Sequence, residues 1–208
     1  MSEPTPMPRS PFARPLAALG PSEAGAGITV MARDGLALAT VIGRKGKADD
    51  LAERVEALFG IALPAGPRRI AAGRIAFVGA GPGQWLAVAD SSADPNALAI
   101  RLARDLAGFA SVAEQSDSRA VIRLSGPCVR LVLAKGLPID LHPRAFGPGD
   151  AALSAIAQIG VHLWQLDEAP TYEIAAPLSM AGSFADWLIA AGAEYGIART
   201  GSHCEGST

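Results

Sequence analysis

The sequence contains few residues that could do chemistry, and the first is a cysteine. Cys128 follows Ser125-Gly126-Pro127, which predicts a helix start and places the thiol in the first helical turn. The positive end of a helix dipole can activate a thiol as a nucleophile. However, no histidine lies near Cys128 in the sequence to assist it, and free cysteines are among the most buried residue types. We therefore interpret Cys128 as a small buried side chain, and Cys204 as part of the tail.

The three histidines are His142, His162 and His203, and they show no metal-ligand spacing. His142 could act as a general base at a cleft between chains, but a loop histidine bonded to the backbone is the interpretation that we favour. Asp140 lies too close to His142 in sequence to complete a triad, and no GxSxG motif supplies a serine. The sequence therefore predicts no catalytic, cofactor-binding or metal-binding residue in this chain.

A glycine-rich stretch, Val78 to Leu86, invites comparison with the loop that binds dinucleotides. Gln84 stands where that motif needs its third glycine, and Pro82 removes a backbone donor. The following Trp85 to Ala89 reads as a strand, whereas the motif requires a helix there. We predict a hairpin turn instead.

The three tryptophans, Trp85, Trp164 and Trp187, could form an aromatic box for a methylated amine. Each of them occupies a regular position in a predicted strand or helix. Packing in a core or an interface is therefore the favoured interpretation.

Composition limits the classes of partner. The chain has 208 residues, a net charge of −2, 50% hydrophobic and only 18% charged residues. A charged fraction below the usual level of about 25% fits either a surface partly covered by other subunits or an alanine-rich composition. Without a basic footprint, neither nucleic acid nor a membrane is an expected partner. Two cysteines without a disulfide framework suggest a reducing compartment, so we expect a cytoplasmic protein.

Hydrophobic periodicity predicts an ordered series of strands and helices. The first set is strand Ile28–Ala32, strand Ala37–Ile42, helix Lys47–Phe59, strands Ile75–Val78 and Trp85–Ala89, and helix Asn96–Leu106. The second set is strand Ala120–Leu124, helix Pro127–Ala134, strands Ala155–Asp167 and Thr171–Ala176, and helix Ser183–Tyr195. The shared order indicates an internal duplication.

We therefore predict an α+β fold of two tandem half-units, residues 28–110 and 111–196, each a small sheet covered by two helices. Residues 1–27 contain six prolines and are predicted to be an extended arm with apolar anchors at Phe12, Leu16 and Leu19. Both a segment lying over a partner subunit and a disordered tail fit this arm. Residues 197–208 are predicted to be a flexible tail.

Four motifs carry a resemblance to a known family, GPGQWL (81–86), RLSGP (123–127), KGLPIDLHPRAF (135–146) and AGSFADWL (181–188), and the stretch TYEIAAP (171–177) adds to it. Together they resemble the gamma-subunit family of heterotetrameric sarcosine oxidase, over roughly Arg74 to Gly196. That family is similar to folate-dependent aminomethyltransferases and to folate-binding proteins of iron–sulfur assembly, which implies the aminomethyltransferase folate-binding fold. The assembly proteins have a cysteine after their lysine-glycine pair, whereas Leu137 follows Lys135-Gly136 here.

The resemblance implies a non-catalytic structural subunit of an oxidoreductase that acts on CH–NH donors with oxygen as acceptor. Such an enzyme demethylates sarcosine to glycine and hydrogen peroxide, and it passes the one-carbon unit to tetrahydrofolate or releases formaldehyde. The implied partners are an alpha chain with NAD and the folate site, a beta chain with FAD, FMN between these two, and a delta chain with zinc. No cofactor is implied in this chain, and activity of the isolated chain stays open. The alternatives are a stand-alone folate-binding one-carbon protein and a scaffold for another amine dehydrogenase.

Overall fold

The computed structural model describes residues 11, 12, 16, 19, 25–90 and 94–200. The strands are β1 Ile28–Ala32, β2 Leu36–Gly43, β3 Arg69–Ala72, β4 Ile75–Gly81, β5 Gln84–Asp90, β6 Ala110–Glu114, β7 Arg119–Ser125, β8 Ala151–Ile156, β9 Ile159–Asp167, β10 Thr171–Pro177 and β11 Ile197–Arg199. The helices are α1 Ala48–Phe59, α2 Asn96–Asp105, α3 Val129–Leu133 and α4 Ala181–Gly192, and short 3₁₀ turns cover Leu178–Met180 and Ala193–Tyr195.

The strands of the described residues form two sheets. Sheet I has the order β3-β4-β5-β2-β6, and sheet II has the order β11-β1-β7-β10-β9-β8. Neighbouring strands are antiparallel except for β1 and β11, which run parallel. The predicted α+β fold, with two sheets and few helices, is confirmed.

The two sheets pack face to face, and each carries helices on its outer face. Alternate residues of β2 show this: Ala37, Ala39 and Val41 pack in one core with α1 and α2, while Leu36 and Leu38 face sheet II. In sheet II, Ile122 of β7 lies in the core with α3 and α4, and its neighbours Val121 and Arg123 face the other way. The resulting order is helices, sheet II, sheet I, helices.

The first strand belongs to a different sheet from the one that its place in the sequence suggests. The sequence groups Ile28–Ala32 with the elements that follow it, but β1 pairs with β7 and β11 in sheet II. The amide of Arg33 also donates to the carbonyl of Val121 at 2.9 Å, which extends the pairing with β7 beyond the end of β1. An apolar strand fits either sheet, so local sequence cannot decide its partner.

The carboxyl-terminal half contains a hairpin that the sequence does not signal. The predicted single strand Ala155–Asp167 is wrong, because it is divided between β8 and β9. The turn is formed by Ala157 and Gln158, which have φ values of 48° and 70°. Turns of this kind usually contain glycine or asparagine, because other residues rarely adopt positive φ.

Described residues toward both ends of the chain contact sheet II. Ile197–Arg199, predicted to be part of a flexible tail, instead forms β11 beside β1. Phe12 and Leu16 are each only 1% exposed and lie in the core between sheet II and its helices. These anchors of the predicted arm therefore pack on the chain's own core, while most of residues 1–27 and residues 201–208 lie outside the described part of the chain.

Candidate functional site

A row of three side chains crosses the face of sheet II that is turned toward sheet I. In the register of adjacent strands, Trp164 of β9 lies opposite Glu173 of β10, and Glu173 lies opposite Arg123 of β7. Directly opposed residues on one face of a sheet bring their side chains together. The strand pairing alone therefore brings an indole, a carboxylate and a guanidinium into contact.

Glu173 is the centre of this row and is 4% exposed. Its Oε1 accepts hydrogen bonds from Arg123 (Nη2, 2.7 Å) and from Arg33 (Nε, 3.0 Å), and its Oε2 accepts one from Trp164 (Nε1, 2.9 Å). A buried carboxylate is stable only with such partners, because its own desolvation is costly. We call Arg33, Arg123, Trp164 and Glu173 the Glu173 cluster.

Arg33 joins the Glu173 cluster to the other sheet. While its Nε contacts Glu173, its Nη2 donates to Oδ1 of Asp90, the last residue of β5, at 2.9 Å. Asp90 is more exposed than Glu173, with 55% of its side chain accessible. The guanidinium therefore links the two sheets between one buried and one partly solvated carboxylate.

A cavity of about 100 Å³ lies beside the cluster, between the two sheets. Its charged lining consists of Arg33, Arg69, Arg74, Arg123, Asp90 and Glu173. The guanidinium groups of Arg33, Arg69 and Arg123 interact with the two carboxylates, which leaves an excess of positive charge. We call this space the arginine cavity.

Arg69 of β3 is the unusual member of this lining. Its Nε is buried and has no hydrogen-bond partner. Burial lowers the pKa of Arg69 below its ordinary value; Glu173 and Asp90 oppose this effect, and the neighbouring charge of Arg123 adds to it. The arginine cavity therefore contains a cation that is poorly compensated.

His162 of β9 is 7% exposed. Burial, together with the charge of Arg119, lowers the pKa of His162 to about 4. The imidazole is therefore neutral at pH 7 and unsuited to act there as an acid.

This shift predicts a loss of stability in acid. The folded pKa lies below the unfolded value of 6.5, so His162 stabilises the fold fully above pH 6.5, and this contribution is lost as the pH falls toward 4. Between pH 7 and pH 5, it should account for about 2 kcal/mol of the fall in the free energy of unfolding. Urea titrations at both pH values should show that the free energy of unfolding of His162→Gln falls by about 2 kcal/mol less than that of the wild type. The exposed-site control His142→Gln should retain the wild-type fall, and an unchanged fall in His162→Gln would rule out this explanation.

The residues singled out from the sequence lie elsewhere. His142 is an exposed loop residue whose Nδ1 accepts the amide hydrogen of Arg144 at 3.2 Å, so the backbone-bonded interpretation is confirmed. Cys128 is half-buried beside Gly27 and packs against the core, which makes it less enclosed than predicted. Cys204 and His203 lie outside the described residues.

The tryptophans do not form a box, because they belong to separate parts of the core. Trp85 packs with α1 and α2 and donates to the carbonyl of Pro64 at 2.8 Å, and Trp164 lies between the sheets. Trp187 packs on the other side of sheet II, with its ring centroid 5.8 Å from that of Phe184. The packing interpretation is confirmed.

The glycine-rich stretch is the turn between β4 and β5, as predicted. Gly81 and Gln84 are paired residues of this hairpin, and Gly83 has a positive φ of 66°. No helix follows, so the geometry that holds a pyrophosphate at a helix N-terminus is missing here.

Sequence reasoning missed the charged residues between the sheets. Arg123 and Glu173 are the single charged residues of otherwise apolar strand segments, AVIRLS and TYEIAAP. A lone charge in such a strand was a usable signal, because burial of both sheet faces requires it to find a partner. Arg33, Arg69 and Asp90 occur in turns or short strands and gave no signal of this kind.

The chemistry available to the site is limited. Both oxygens of Glu173 are occupied by donors, so this carboxylate is not free to accept a proton from a substrate. Across the described ranges, no group of three or more histidine, cysteine, aspartate or glutamate side chains could hold a metal ion. The same part of the chain contains no helix that combines the length and apolar character of a membrane span.

The two face-to-face sheets with outer helices define the class of fold. The chain is similar to the aminomethyltransferase T of the glycine cleavage system from Bartonella henselae, with a TM-score of 0.61 and 17% identity over 85% of this chain and 48% of that one. At this identity the likeness concerns the fold alone. The chain is therefore an α+β protein with the aminomethyltransferase type of architecture.

Sequence similarity gives the family. The profile of the sarcosine oxidase gamma subunit family matches residues 45–194. The gamma subunit from Corynebacterium sp. (strain U-96) is 31% identical over 202 residues, 95% of this chain and 96% of that protein. The chain belongs to the sarcosine oxidase gamma subunit family.

Two further relatives are consistent with this family. The gamma subunit from Corynebacterium sp. (strain P-1) is 39% identical over 115 residues, and the match spans 55% of either protein. In the solved structure of heterotetrameric sarcosine oxidase from Corynebacterium sp. U-96 in complex with pyrrole 2-carboxylate, one chain matches with a TM-score of 0.79 and 29% identity. That match covers 96% of this chain and 99% of the other.

Proposed function

We propose that this chain is a non-catalytic structural subunit of a heterotetrameric sarcosine oxidase. The observation that carries the proposal is the likeness to one whole chain of such an enzyme, which covers 99% of that chain at a TM-score of 0.79. A subunit that matches from end to end has the size and shape to occupy the same place in an assembly. The partners would be alpha, beta and delta chains.

The low fraction of charged residues supports this role. Only 18% of the residues are charged, and Ile100, Leu131 and Leu153 expose more than half of their side chains, at 66%, 54% and 59%. Single exposed apolar residues are normal, but together with few charges they favour a surface that is partly covered in an assembly.

The site chemistry supports a non-catalytic role. The assembly would convert sarcosine, water and oxygen into glycine, formaldehyde and hydrogen peroxide, or pass the one-carbon unit to tetrahydrofolate. Pockets for organic ligands usually measure about 300–1,000 Å³. The arginine cavity, at about 100 Å³, is too small for a flavin, a nicotinamide dinucleotide or a folate. We therefore assign FAD, FMN, NAD, zinc and tetrahydrofolate to the partner chains.

Affinity purification from the source cells tests the proposal. A tag on this chain should recover three other polypeptides in equal amounts, among them a flavoprotein, and native mass spectrometry should give the mass of a heterotetramer. Recovery of the chain as a stable monomer at native expression level would contradict the proposal.

The stand-alone folate-binding alternative makes a different prediction. Tetrahydrofolate added to the isolated chain would change its tryptophan fluorescence in a saturable way, because Trp164 lies between the sheets. We expect no saturable change, since the arginine cavity, at about 100 Å³, is smaller than the pockets of about 300–1,000 Å³ that hold ligands of this size. Saturable binding would favour the alternative.

A further inference from the structure

The strongest unexplained feature of the molecule is the charge balance of the arginine cavity. Arg33 and Arg123 share Glu173, and Arg33 also contacts Asp90. Arg69 has neither an ion pair nor a hydrogen bond from its buried Nε within the described part of the chain. Buried charged groups normally have partners, since an isolated one is strongly destabilising.

We infer that the arginine cavity is a binding site for a small oxyanion, a carboxylate or an inorganic phosphate, held by Arg69 together with its neighbouring guanidinium groups. Guanidinium presents parallel N–H donors that match the oxygens of either anion.

The carboxylates already present cannot fill this role. Glu173 is held by Arg33, Arg123 and Trp164, so neither of its oxygens is free to turn toward Arg69 without losing a bond. Asp90 is held by Arg33 at 2.9 Å and is half exposed at the cavity margin. The excess positive charge therefore remains after every observed ion pair has been counted.

The size of the cavity restricts the anion. A volume of about 100 Å³ holds several water molecules, each of which needs about 10–15 Å³ of space accessible to its centre. Acetate, the carboxylate end of an amino acid, and phosphate are of this size.

Calorimetry with the full-length chain tests the inference. Sodium acetate and sodium phosphate are titrated separately at neutral pH in an amine buffer, with sodium chloride at equal ionic strength as the control. Saturable heat with a stoichiometry of one for acetate indicates a carboxylate site, and the same result for phosphate alone indicates a phosphate site; either result supports the inference. Absence of saturable heat with both anions overturns it, and this outcome depends on no variant.

A variant then assigns the site to Arg69. Arg69→Gln should weaken the affinity about tenfold or more, because one charge-assisted interaction is lost. Arg104→Gln, at a fully exposed position on α2, should bind like the wild type. An anion at about 100 times its Kd should raise the wild-type Tm by about 5 °C or more, and less so in Arg69→Gln.

Without the anion, Arg69→Gln should be at least as stable as the wild type, since it removes a partly buried guanidinium whose charge is disfavoured by desolvation and by Arg123. This result would separate a binding role from a structural one, because a structural arginine would cost stability on removal. Equal anion affinity of the wild type and Arg69→Gln, or a large loss of stability in Arg69→Gln without anion, would overturn the assignment of the site to Arg69.

Discussion

Replacing Glu173 with glutamine is expected to lower the free energy of unfolding by about 3–5 kcal/mol. The change keeps the side-chain size but removes the negative charge that Arg33 and Arg123 share, and Glu173 is only 4% exposed. Two guanidinium groups would then face each other without compensation in a poorly hydrated space. Urea unfolding followed by circular dichroism measures the difference.

Asp90→Asn provides the matched control, because Asp90 also accepts a hydrogen bond from Arg33 at 2.9 Å but is 55% exposed. Solvent screens this pair, so the loss should be no more than about 1 kcal/mol. If Glu173→Gln and Asp90→Asn lowered the free energy of unfolding by the same amount, burial would not explain the contribution of Glu173 to stability.

The second large effect is expected at Gly79, within the glycine-rich stretch. A Cβ added at Gly79 would lie 2.0 Å from the carbonyl oxygen of Gly66, which belongs to the backbone segment leading into β3. That segment is also tied to β4 by the hydrogen bond from the Gly79 amide to the Arg68 carbonyl, at 2.9 Å. Because backbone must move, Gly79→Ala should cost about 3 kcal/mol.

Gly81→Ala is the control for this prediction, since it changes a glycine of the same hairpin where nothing lies within 4 Å of the added Cβ. Its free energy of unfolding, measured by thermal unfolding, should differ from that of the wild type by no more than about 1 kcal/mol. Similar Tm values for both variants would mean that β3 is not packed against β4 as described. A large effect at Gly79 alone would explain this glycine by close packing, without a phosphate ligand.

Local patterns in the sequence were sufficient for most of the elements. The amphipathic spacing of Leu51 and Val55 located α1, and the alternation in β7 correctly separated Ile122 and Leu124 from Val121 and Arg123. The turn at Gly81 to Gln84 was also recognisable, because proline and glycine occupy it. These features depend on neighbours in the chain, which is why a single sequence reveals them.

The site depended on contacts that no local pattern encodes. The alternation along β7 puts Arg123 on the face opposite to Ile122 and Leu124, which is typical of a solvent-exposed face in a half-buried strand. In the structure sheet I covers that face, and Arg123 forms an ion pair with Glu173. Arg33 reaches the cluster only because β1 joins sheet II, which involves pairing with β7 about ninety residues away. The hairpin at Ala157 and Gln158 was missed for a different reason, since neither residue is typical of a positive-φ turn.

The resemblance read from short motifs and the family found by comparison agree, and the stretches that carry the resemblance contain Arg123 and Glu173 but not Arg33, Arg69 or Asp90. The motifs lie largely on turns and on the helices that cover sheet II, where packing demands particular residues. The charged residues between the sheets required the structure.

The most direct measurement compares hydrogen peroxide release from sarcosine by the purified chain alone and by an assembly recovered through a tag on the same chain. We expect rapid, sarcosine-dependent release from the assembly and none above the buffer rate from the isolated chain. Turnover of sarcosine by the isolated chain, or a tightly held flavin in it, would contradict the proposed role of this chain as a non-catalytic subunit.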